Sequence, residues 1–155
     1  MTDSISKEHR SWNMSRIRSR DTKPELLVRS YLHKKGFRFS LNGKVSKKTY
    51  YKGVLPGKPD IVLPKYKMVI FVHGCFWHRH IGCSRCTFPK SNTEYWLNKF
   101  NDTISRDKDN TERLSNTDWN VITLWECELK KNVYEKTMQN LINEIECIKN
   151  NSRVL

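Results

Sequence analysis

The sequence lacks any long apolar segment. No stretch of the 155 residues approaches the roughly 20 apolar residues that span a bilayer, which excludes an integral membrane protein. Ser, Lys, Glu, His and Arg crowd the first ten residues, where a signal peptide would need an apolar run. Internal repeats and coiled-coil heptads are also missing from the sequence. We therefore expect a soluble cytoplasmic monomer, and the length suits one compact domain.

Acidic residues are scarce in the first part of the chain. Residues 1–91 hold 20 Lys and Arg against 5 Asp and Glu, a net charge of +15, whereas residues 92–155 hold 9 against 11, a net charge of −2. Such a one-sided surplus favours a surface that binds a polyanion, most simply nucleic acid. The alternative is a solvated basic surface that serves solubility alone.

The chain has five cysteines, an odd number that leaves no complete pairing into disulfides. In a cytosolic protein such thiols are reduced, and they more often bind a metal ion or fill the core than form disulfides. The 17 aromatic residues (Trp 5, Tyr 6, Phe 6) supply apolar surface for a core, so disorder throughout the chain is excluded.

The pattern of apolar residues predicts an α/β domain. We expect residues 1–20 to form a basic arm, or a short helix that orders on a partner, and residues 21–155 to form one domain. A helix begins at Asp21 or Thr22, uses Leu26, Leu27, Tyr31 and Leu32 as its apolar residues, and ends at Gly36. The remaining predicted elements are strands at 37–41, 60–63, 68–72 and 121–125, a basic loop at 44–58, and helices at 92–116 (with Tyr95, Trp96, Phe100 and Leu114 as apolar positions) and 134–148. Helices that flank a mixed sheet define the class.

Two acidic residues lie where they could hold a hard cation. Asp60 follows Pro59 at the head of a buried strand, where an unpaired carboxylate is costly to bury but well placed to bind a metal ion through oxygen. Glu25 lies in the first turn of the first predicted core helix. The two carboxylates could flank Mg²⁺ at a phosphodiester, where the ion would activate water. The alternative is a turn acid at Asp60 and an ordinary first-turn helix acid at Glu25.

The segment 73–83 is rich in histidine and cysteine. It contains His73, His78 and His80, three of the five histidines, and Cys75 and Cys83. A histidine is suited to general-base catalysis because its pKa is close to neutrality. The set suited to tetrahedral zinc is Cys75, His80, Cys83 and, from a later strand, Cys127. Reduced core cysteines without a metal ion are the alternative.

Large aromatic residues lie beside these candidate ligands. Phe76 and Trp77 are adjacent in a polar loop, and Trp96 begins the long predicted helix. Exposed aromatic rings next to basic residues can stack on bases or wedge between them. The alternative, that the rings belong to the core, is stronger for Trp96 than for the adjacent pair.

Several ordered segments of the sequence closely resemble the very-short-patch repair (Vsr) endonucleases over about residues 8 to 130. The segments that carry the resemblance are NMSRIRSRDTKPE, LPGKPDIVLPKYKMVIFV, HGCFWHRHIGC, PKSNTEYWLNKF and WNVITLWECEL. The resemblance implies a restriction-endonuclease-like fold of the PD-(D/E)XK type. It also implies a Mg²⁺-dependent nick in one strand of duplex DNA, 5′ of the thymine of a T:G mismatch that arises by deamination of 5-methylcytosine.

The resemblance also assigns roles to individual residues. It implies that Asp60 binds Mg²⁺, that Glu25 assists through water, that His78 is the general base, that Asp107 holds its imidazole and that His73 supports them. It implies a further Mg²⁺ ligand in the backbone carbonyl of Val72, at a position where some members have Thr. The implied Zn²⁺ ligands are Cys75, His80, Cys83 and Cys127, with Cys86 as an extra cysteine nearby. The implied DNA contacts are Phe76, Trp77 and Trp96, and we add Arg16, Arg18 and Arg20 of the basic arm.

Three functions remain open from the sequence. The first is the mismatch-nicking endonuclease, which would bind duplex DNA, associate with the nucleoid and work with mismatch-repair proteins and a repair polymerase. The second is a restriction-like nuclease on the same fold that needs no mismatch. The third is a zinc-stabilised DNA-binding module without catalysis, which would not require Asp60 or His78.

Overall fold

A computed structural model describes residues 5–151 of the chain. Its elements are the helices α1 (Lys7–Ser15), α2 (Lys23–Lys34), α3 (Thr93–Ser115) and α4 (Tyr134–Asn151), and the strands β1 (Ser40–Leu41), β2 (Ile61–Leu63), β3 (Met68–His73) and β4 (Asn120–Trp125). Single 3-10 turns follow β2 and β4. Within residues 5–151, no helix is long and apolar enough to cross a membrane.

The four strands form one mixed sheet in the order β1-β2-β3-β4. β2 pairs antiparallel with β1 and with β3, whereas β4 runs parallel to β3 and pairs with it along all six residues. The parallel connection needs a crossover, which α3 provides. The predicted mixed α/β class is thereby confirmed.

Alternate residues of the strands fill two cores on opposite faces of the sheet. On one face α2 and α4 cover the sheet, with Leu32, Ile70 and Leu141 among the buried residues. On the other face a smaller cluster joins the strands to α3 and to the segment before β2; its buried members are Leu55, Val62, Val69, Leu114 and Trp119. The sheet is therefore a middle layer between helices.

Three details of the predicted elements are wrong. The predicted strand at 37–41 is reduced to Ser40–Leu41, because β1 meets only two residues of β2; Phe37 and Phe39 still pack on the larger core. Leu26 is 50% exposed, and the buried apolar stripe of α2 is Val28, Tyr31 and Leu32 at the i, i+3, i+4 spacing. Tyr95 is likewise 50% exposed on α3.

The basic N-terminal segment is helical over Lys7–Ser15 and buries none of its residues. Ser6 caps the helix by accepting a hydrogen bond from the backbone N–H of His9 at 3.2 Å. The predicted boundary between an arm at 1–20 and a domain at 21–155 stays a prediction. Residues 1–4 of that arm and residues 152–155 of that domain lie outside the described part of the chain.

Candidate active site and metal centre

One cleft of about 1240 Å³ gathers most of the predicted site residues. Glu25 reaches it from the first turn of α2, Asp60 from the residue before β2, and Asp107 from the middle of α3. The lining also includes Arg18, Arg20, Val72, His73, Trp77 and His78. The cleft lies where β3 ends and the loop rich in histidine and cysteine begins, so segments distant in sequence meet there.

Asp60 immediately precedes β2, and its side chain is held by the neighbouring strand β3. The backbone N–H of Val72 donates to its Oδ2 atom at 2.7 Å. Burial raises the pKa of Asp60 to about 6, with a further rise from Glu25, while the Val72 hydrogen bond, Arg29 and His78 act to lower it. At neutral pH the carboxylate is therefore mostly ionised but poorly solvated. Such a group is suited to bind a cation.

Glu25 is 3% exposed and all its hydrogen-bond donors come from its own segment. Oε2 accepts from the backbone N–H of Asp21 at 3.0 Å and from Nη2 of Arg29 at 2.9 Å, and Oε1 accepts from the hydroxyl of Thr22 at 2.8 Å. Thr22 is the N-cap residue of α2, but its hydroxyl serves Glu25 instead of capping a backbone N–H. This network fixes the orientation of the carboxylate.

Arg29 balances the acidic charges around Glu25. Its guanidinium bridges Glu25 and Asp21, and the residue is only 8% exposed. Its Nε atom is buried without a hydrogen-bond partner among the described residues. A buried guanidinium is kept in place by its ion pairs. Arg29 therefore connects Asp21, in the segment before α2, to Glu25 in the cleft.

His78 and Asp107 form a hydrogen-bonded pair in the cleft. Nδ1 of His78 lies 2.6 Å from Oδ2 of Asp107. Because a carboxylate only accepts, Nδ1 carries the proton and Nε2 of the neutral ring is left as an acceptor. The ring of His73 stacks on that of His78 with centroids 3.7 Å apart and planes 6° apart. Burial lowers the pKa of His73 to about 4, and His78 adds to the effect, so His73 is neutral at pH 7.

A second cluster brings together Cys75, His80, Cys83 and Cys127. Their four potential ligand atoms all lie within 4.8 Å of one another. Nδ1 of His80 lies 3.6 Å from Sγ of Cys75 and 3.3 Å from Sγ of Cys127. In a tetrahedral zinc site with Zn–S of about 2.3 Å and Zn–N of about 2.0 Å, the ligand atoms are separated by about 3.5–3.8 Å. The donor set and its spacing thus fit a zinc ion.

The backbone of the loop turns so that its candidate ligands face one another. The N–H of His80 donates to the carbonyl of Cys75 at 3.0 Å, and that of Cys83 to the carbonyl of His80 at 3.2 Å. The His80 ring stacks on Trp125, which precedes Cys127, with centroids 4.2 Å apart. Cys86 is not a member of the cluster, so the extra cysteine does not replace a ligand in this arrangement.

The thiols differ in how readily they would lose a proton. Burial raises the pKa of Cys75 to about 12 and also raises that of Cys127. The backbone N–H of Arg85, 3.4 Å from Sγ of Cys83, lowers the pKa of Cys83. A metal ion at this cluster would displace the protons of Cys75 and Cys127, since the thiolate is the ligand.

The predicted aromatic residues form one cluster, which reaches the cleft through Trp77. The ring of Phe76 meets those of Trp77 and Trp96 edge to face, at centroid distances of 5.1 and 5.5 Å. Phe100, 3% exposed, closes the cluster beneath them. The ammonium of Lys99 lies 5.5 Å from the ring of Trp77 and 5.9 Å from that of Trp96. All three predicted rings are half-buried, so they neither belong fully to the core nor are fully exposed.

The three predicted arginines divide between two places. Arg18 and Arg20 line the cleft, whereas the guanidinium of Arg16 lies 4.1 Å from the ring of Trp12 and does not line it. The sequence reasoning missed Glu126, which also lines the cleft. Its Oε1 accepts from the backbone N–H of Cys75 at 3.2 Å, and its Oε2 lies 3.6 Å from Arg85. Its place between Trp125 and Cys127 was the available signal.

Comparison with known proteins identifies the family. The family described as DNA mismatch endonuclease Vsr matches residues 2–85. The chain is 44% identical over 146 residues to the type II nicking enzyme V.NmeAIP of Neisseria meningitidis, covering 94% of this chain and 97% of the relative. It is 38% identical over 130 residues to the DNA mismatch endonuclease Vsr of Escherichia coli, covering 84% and 77%. The chain belongs to the Vsr family. It is therefore an endonuclease, and the catalytic interpretations of the cleft are favoured over a binding module without catalysis.

The Xanthomonas oryzae type II nicking enzyme V.XorIIP extends the likeness across nearly the whole chain. It is 41% identical over 144 residues, covering 92% of this chain and 98% of the relative. Because the match covers 92% of this Vsr-family chain, it extends beyond β4 into the C-terminal helix.

Proposed function

We propose that this Vsr-family protein nicks one strand of duplex DNA on the 5′ side of the thymine of a T:G mismatch, in very short patch repair. The mismatch would arise by deamination of 5-methylcytosine, and the fold would be of the restriction-endonuclease-like, PD-(D/E)XK type. The observation that carries the proposal is the meeting of Asp60, Glu25 and the His78–Asp107 pair in one cleft of a chain whose relatives are named as mismatch endonucleases and nicking enzymes.

Asp60 and the carbonyl of Val72 are the proposed ligands of Mg²⁺. The fit is supported by the poorly solvated carboxylate of Asp60, whose pKa burial raises to about 6, and by the oxygen donors that Mg²⁺ prefers. The ion would activate water and neutralise the charge that develops on the phosphate. Glu25 already accepts three hydrogen bonds from its own segment, which supports a role through water instead of direct ligation.

His78 is the proposed general base. Asp107 fixes the tautomer in which Nε2 accepts a proton from the attacking water, and it stabilises the imidazolium that results. The flat stacking of His73 holds the His78 ring in its plane, and because His73 is neutral at pH 7 it does not compete for Asp107 as a second cation.

Cys75, His80, Cys83 and Cys127 are the proposed ligands of a structural Zn²⁺. All four positions of a tetrahedron would be filled by protein atoms, which is typical of a structural and not a catalytic site. The ion would tie the loop that carries His78 to the segment after β4, so that the position of the general base depends on it.

The rings of Phe76, Trp77 and Trp96 are the proposed wedge at the mismatch. A wobble pair is less costly to unstack than a Watson–Crick pair, so a wedge prefers it. Arg16, Arg18 and Arg20 would contact phosphates from the arm at residues 1–20, with the single endonuclease domain at 21–155. We further propose that the protein acts as a nucleoid-associated monomer, together with mismatch-repair proteins and a repair polymerase.

The test is a nicking assay on paired duplexes in Mg²⁺, one with a central T:G pair and one fully matched, each strand carrying a different label. We expect nicking of the thymine strand of the mismatched duplex alone. Asp60→Ala should abolish nicking and leave DNA binding largely intact. Equal cutting of both duplexes would instead favour a restriction-like nuclease, and undiminished nicking by the variant would remove Asp60 as the metal ligand.

A further inference from the structure

The segment before β2 forms a basic hairpin, residues 43–55, that the proposed mechanism does not use. We infer that this hairpin is a second DNA-binding surface, which grips the phosphates of the duplex that flanks the cleft. The inference rests on the proposed action on duplex DNA, and it adds the region of the duplex that the protein holds outside the cleft.

The hairpin has a defined backbone. The N–H of Leu55 donates to the carbonyl of Gly43 at 2.9 Å and that of Val45 to the carbonyl of Gly53 at 3.0 Å, with a bridge between Lys44 and Val54. A turn that begins at Ser46 closes its tip. Gly43 has φ +70°, and a Cβ there would lie 2.9 Å from the Cα of Lys58. The conformation at the base therefore requires glycine.

Apolar residues anchor the hairpin to the molecule. Leu55 is 1% exposed within the smaller core cluster, and Val45 and Tyr50 pack against the same cluster. The polar residues between these anchors point to solvent. An anchored hairpin presents its charges in a fixed array and loses less entropy on binding than a free tail would.

The charge of the hairpin is of one sign and is not neutralised by the described part of the chain. Residues 42–58 contain five lysines and no acidic residue. Lys44, Lys47, Lys48 and Lys52 of the hairpin are all exposed. None of them forms an ion pair with a carboxylate of residues 5–151. Four close ammonium groups without counter-charges repel one another, and a polyanion relieves that repulsion.

The hairpin is continuous with the cleft. Asn42, Gly57 and Lys58, which flank its base, all line the cleft. A Cβ at Gly57 would lie 3.0 Å from the side chain of Asn110 on α3, so the base is pressed against the opposite wall. A duplex that occupies the cleft and continues past this rim would run along the hairpin.

The continuity of the hairpin with the proposed catalytic cleft favours DNA as its partner over an acidic protein segment. Tyr51 is 70% exposed and the ammonium of Lys52 lies 5.4 Å from its ring. Ammonium groups on flexible stems bind phosphates as point charges without selecting a sequence. The expected contribution is therefore affinity and register on the duplex, and not recognition of the mismatch.

The test compares two variants with the same loss of charge. The hairpin variant carries Lys44→Gln, Lys47→Gln, Lys48→Gln and Lys52→Gln, and the control variant carries Lys35→Gln, Lys65→Gln, Lys131→Gln and Lys136→Gln, four exposed residues that do not line the cleft. Binding is measured over a range of salt on a long duplex and on one trimmed to the base pairs within the cleft. Circular dichroism of both variants checks that they fold.

We expect the hairpin variant to bind the long duplex about tenfold or more weakly, with the slope of log K against log salt reduced by about 2–4. On the trimmed duplex it should match the wild type, and its maximal nicking rate at saturating DNA should change less than about twofold, since KM carries the effect. Affinity for the long duplex equal to that of the control variant would overturn the inference. An equal loss on both duplexes would also overturn it, because the lysines would then act within the cleft. A wild type that binds but does not nick would count against the proposed function alone.

Discussion

Asp60 is the residue whose charge conflicts most with its buried surroundings. Its pKa in the folded state, about 6, lies above the ordinary 3.8 because of burial. A raised pKa means that the folded state binds the proton more tightly, so the associated stability is complete below about pH 4 and is lost as the pH rises through 6. In magnesium-free buffer at pH 8, the ionised group therefore destabilises the fold.

Asp60→Asn should accordingly stabilise the magnesium-free protein at pH 8. Asn cannot ionise but still accepts the hydrogen bond from Val72. We expect a gain in the free energy of unfolding on the order of 2 kcal/mol at pH 8, which disappears near pH 4. Urea unfolding at both pH values measures it. Asp102→Asn, at an exposed position on α3, is the matched control and should show no such dependence. A gap of equal size at both pH values would contradict the burial argument.

Some site residues could be predicted from their chemistry in the sequence. Others could not, because their contacts join segments that are distant in sequence. Asp60 stands out because an acid at the head of a buried strand conflicts with simple packing. The histidines of segment 73–83 stand out because their pKa suits general-base catalysis, but only the family resemblance singled out His78 among them. Asp107 does not stand out, because its partner lies 29 residues away and the contact depends on how α3 crosses the loop. It entered the prediction only through the family resemblance. Glu126 was missed for the same reason, since its hydrogen bond to Cys75 spans 51 residues.

At the scale of elements, the loop after β3 is the part of the site that would depend most on the proposed zinc ion. Between β3 and α3 it has no strand or α-helix among its described residues. Its proposed ligands Cys75, His80 and Cys83 meet Cys127, which lies in the 3-10 turn after β4. Metal binding would therefore contribute directly to the order of the loop.

Cys127→Ala should lose the bound zinc and destabilise the protein by about 2 kcal/mol or more. Elemental analysis of the purified protein measures the metal, and thermal unfolding measures the stability. Cys86→Ser is the matched control, because Cys86 lies in the same loop but outside the cluster, and it should keep both. An unchanged zinc content in the Cys127 variant would show that Cys127 is not a zinc ligand. Loss of zinc from the control would show that Cys86 is one.

The long elements could be predicted closely, whereas the length of β1 and the buried face of α2 could not. The helix predicted at 92–116 is α3 within one residue at each end, and β3 and β4 each exceed their predicted ranges by one residue, because long periodic segments and continuous apolar runs are strong signals. The strand predicted at 37–41 is shortened because only Ser40 and Leu41 pair with β2, which has three residues. The buried stripe of α2 was misplaced by Leu26, whose apolar side chain faces solvent.

For the whole molecule, the uneven charge of the sequence becomes an uneven surface around the cleft. The first part of the chain, with a net charge of +15, supplies the linker before α2 and the basic hairpin, and both border the cleft. Arg106 and Arg113 of α3 add to the lining. Positive charge around an opening that contains Asp60 and Asp107 attracts a polyanion to these acidic groups, which would otherwise repel it.

The helix α1 precedes the segment that lines the cleft from Ile17 onward, and it buries none of its residues. Removal of residues 1–16 should therefore change the free energy of unfolding by less than about 1 kcal/mol. It should weaken binding to duplex DNA about tenfold and reduce the salt slope by about 2–3, because it takes away Lys7, Arg10 and Arg16. Urea unfolding and salt-dependent binding measure the two effects separately. A large loss of stability would show that α1 belongs to the folded domain. An unchanged salt slope would show that residues 1–16 do not contact DNA, so the cleft and the hairpin would have to account for the salt dependence of binding.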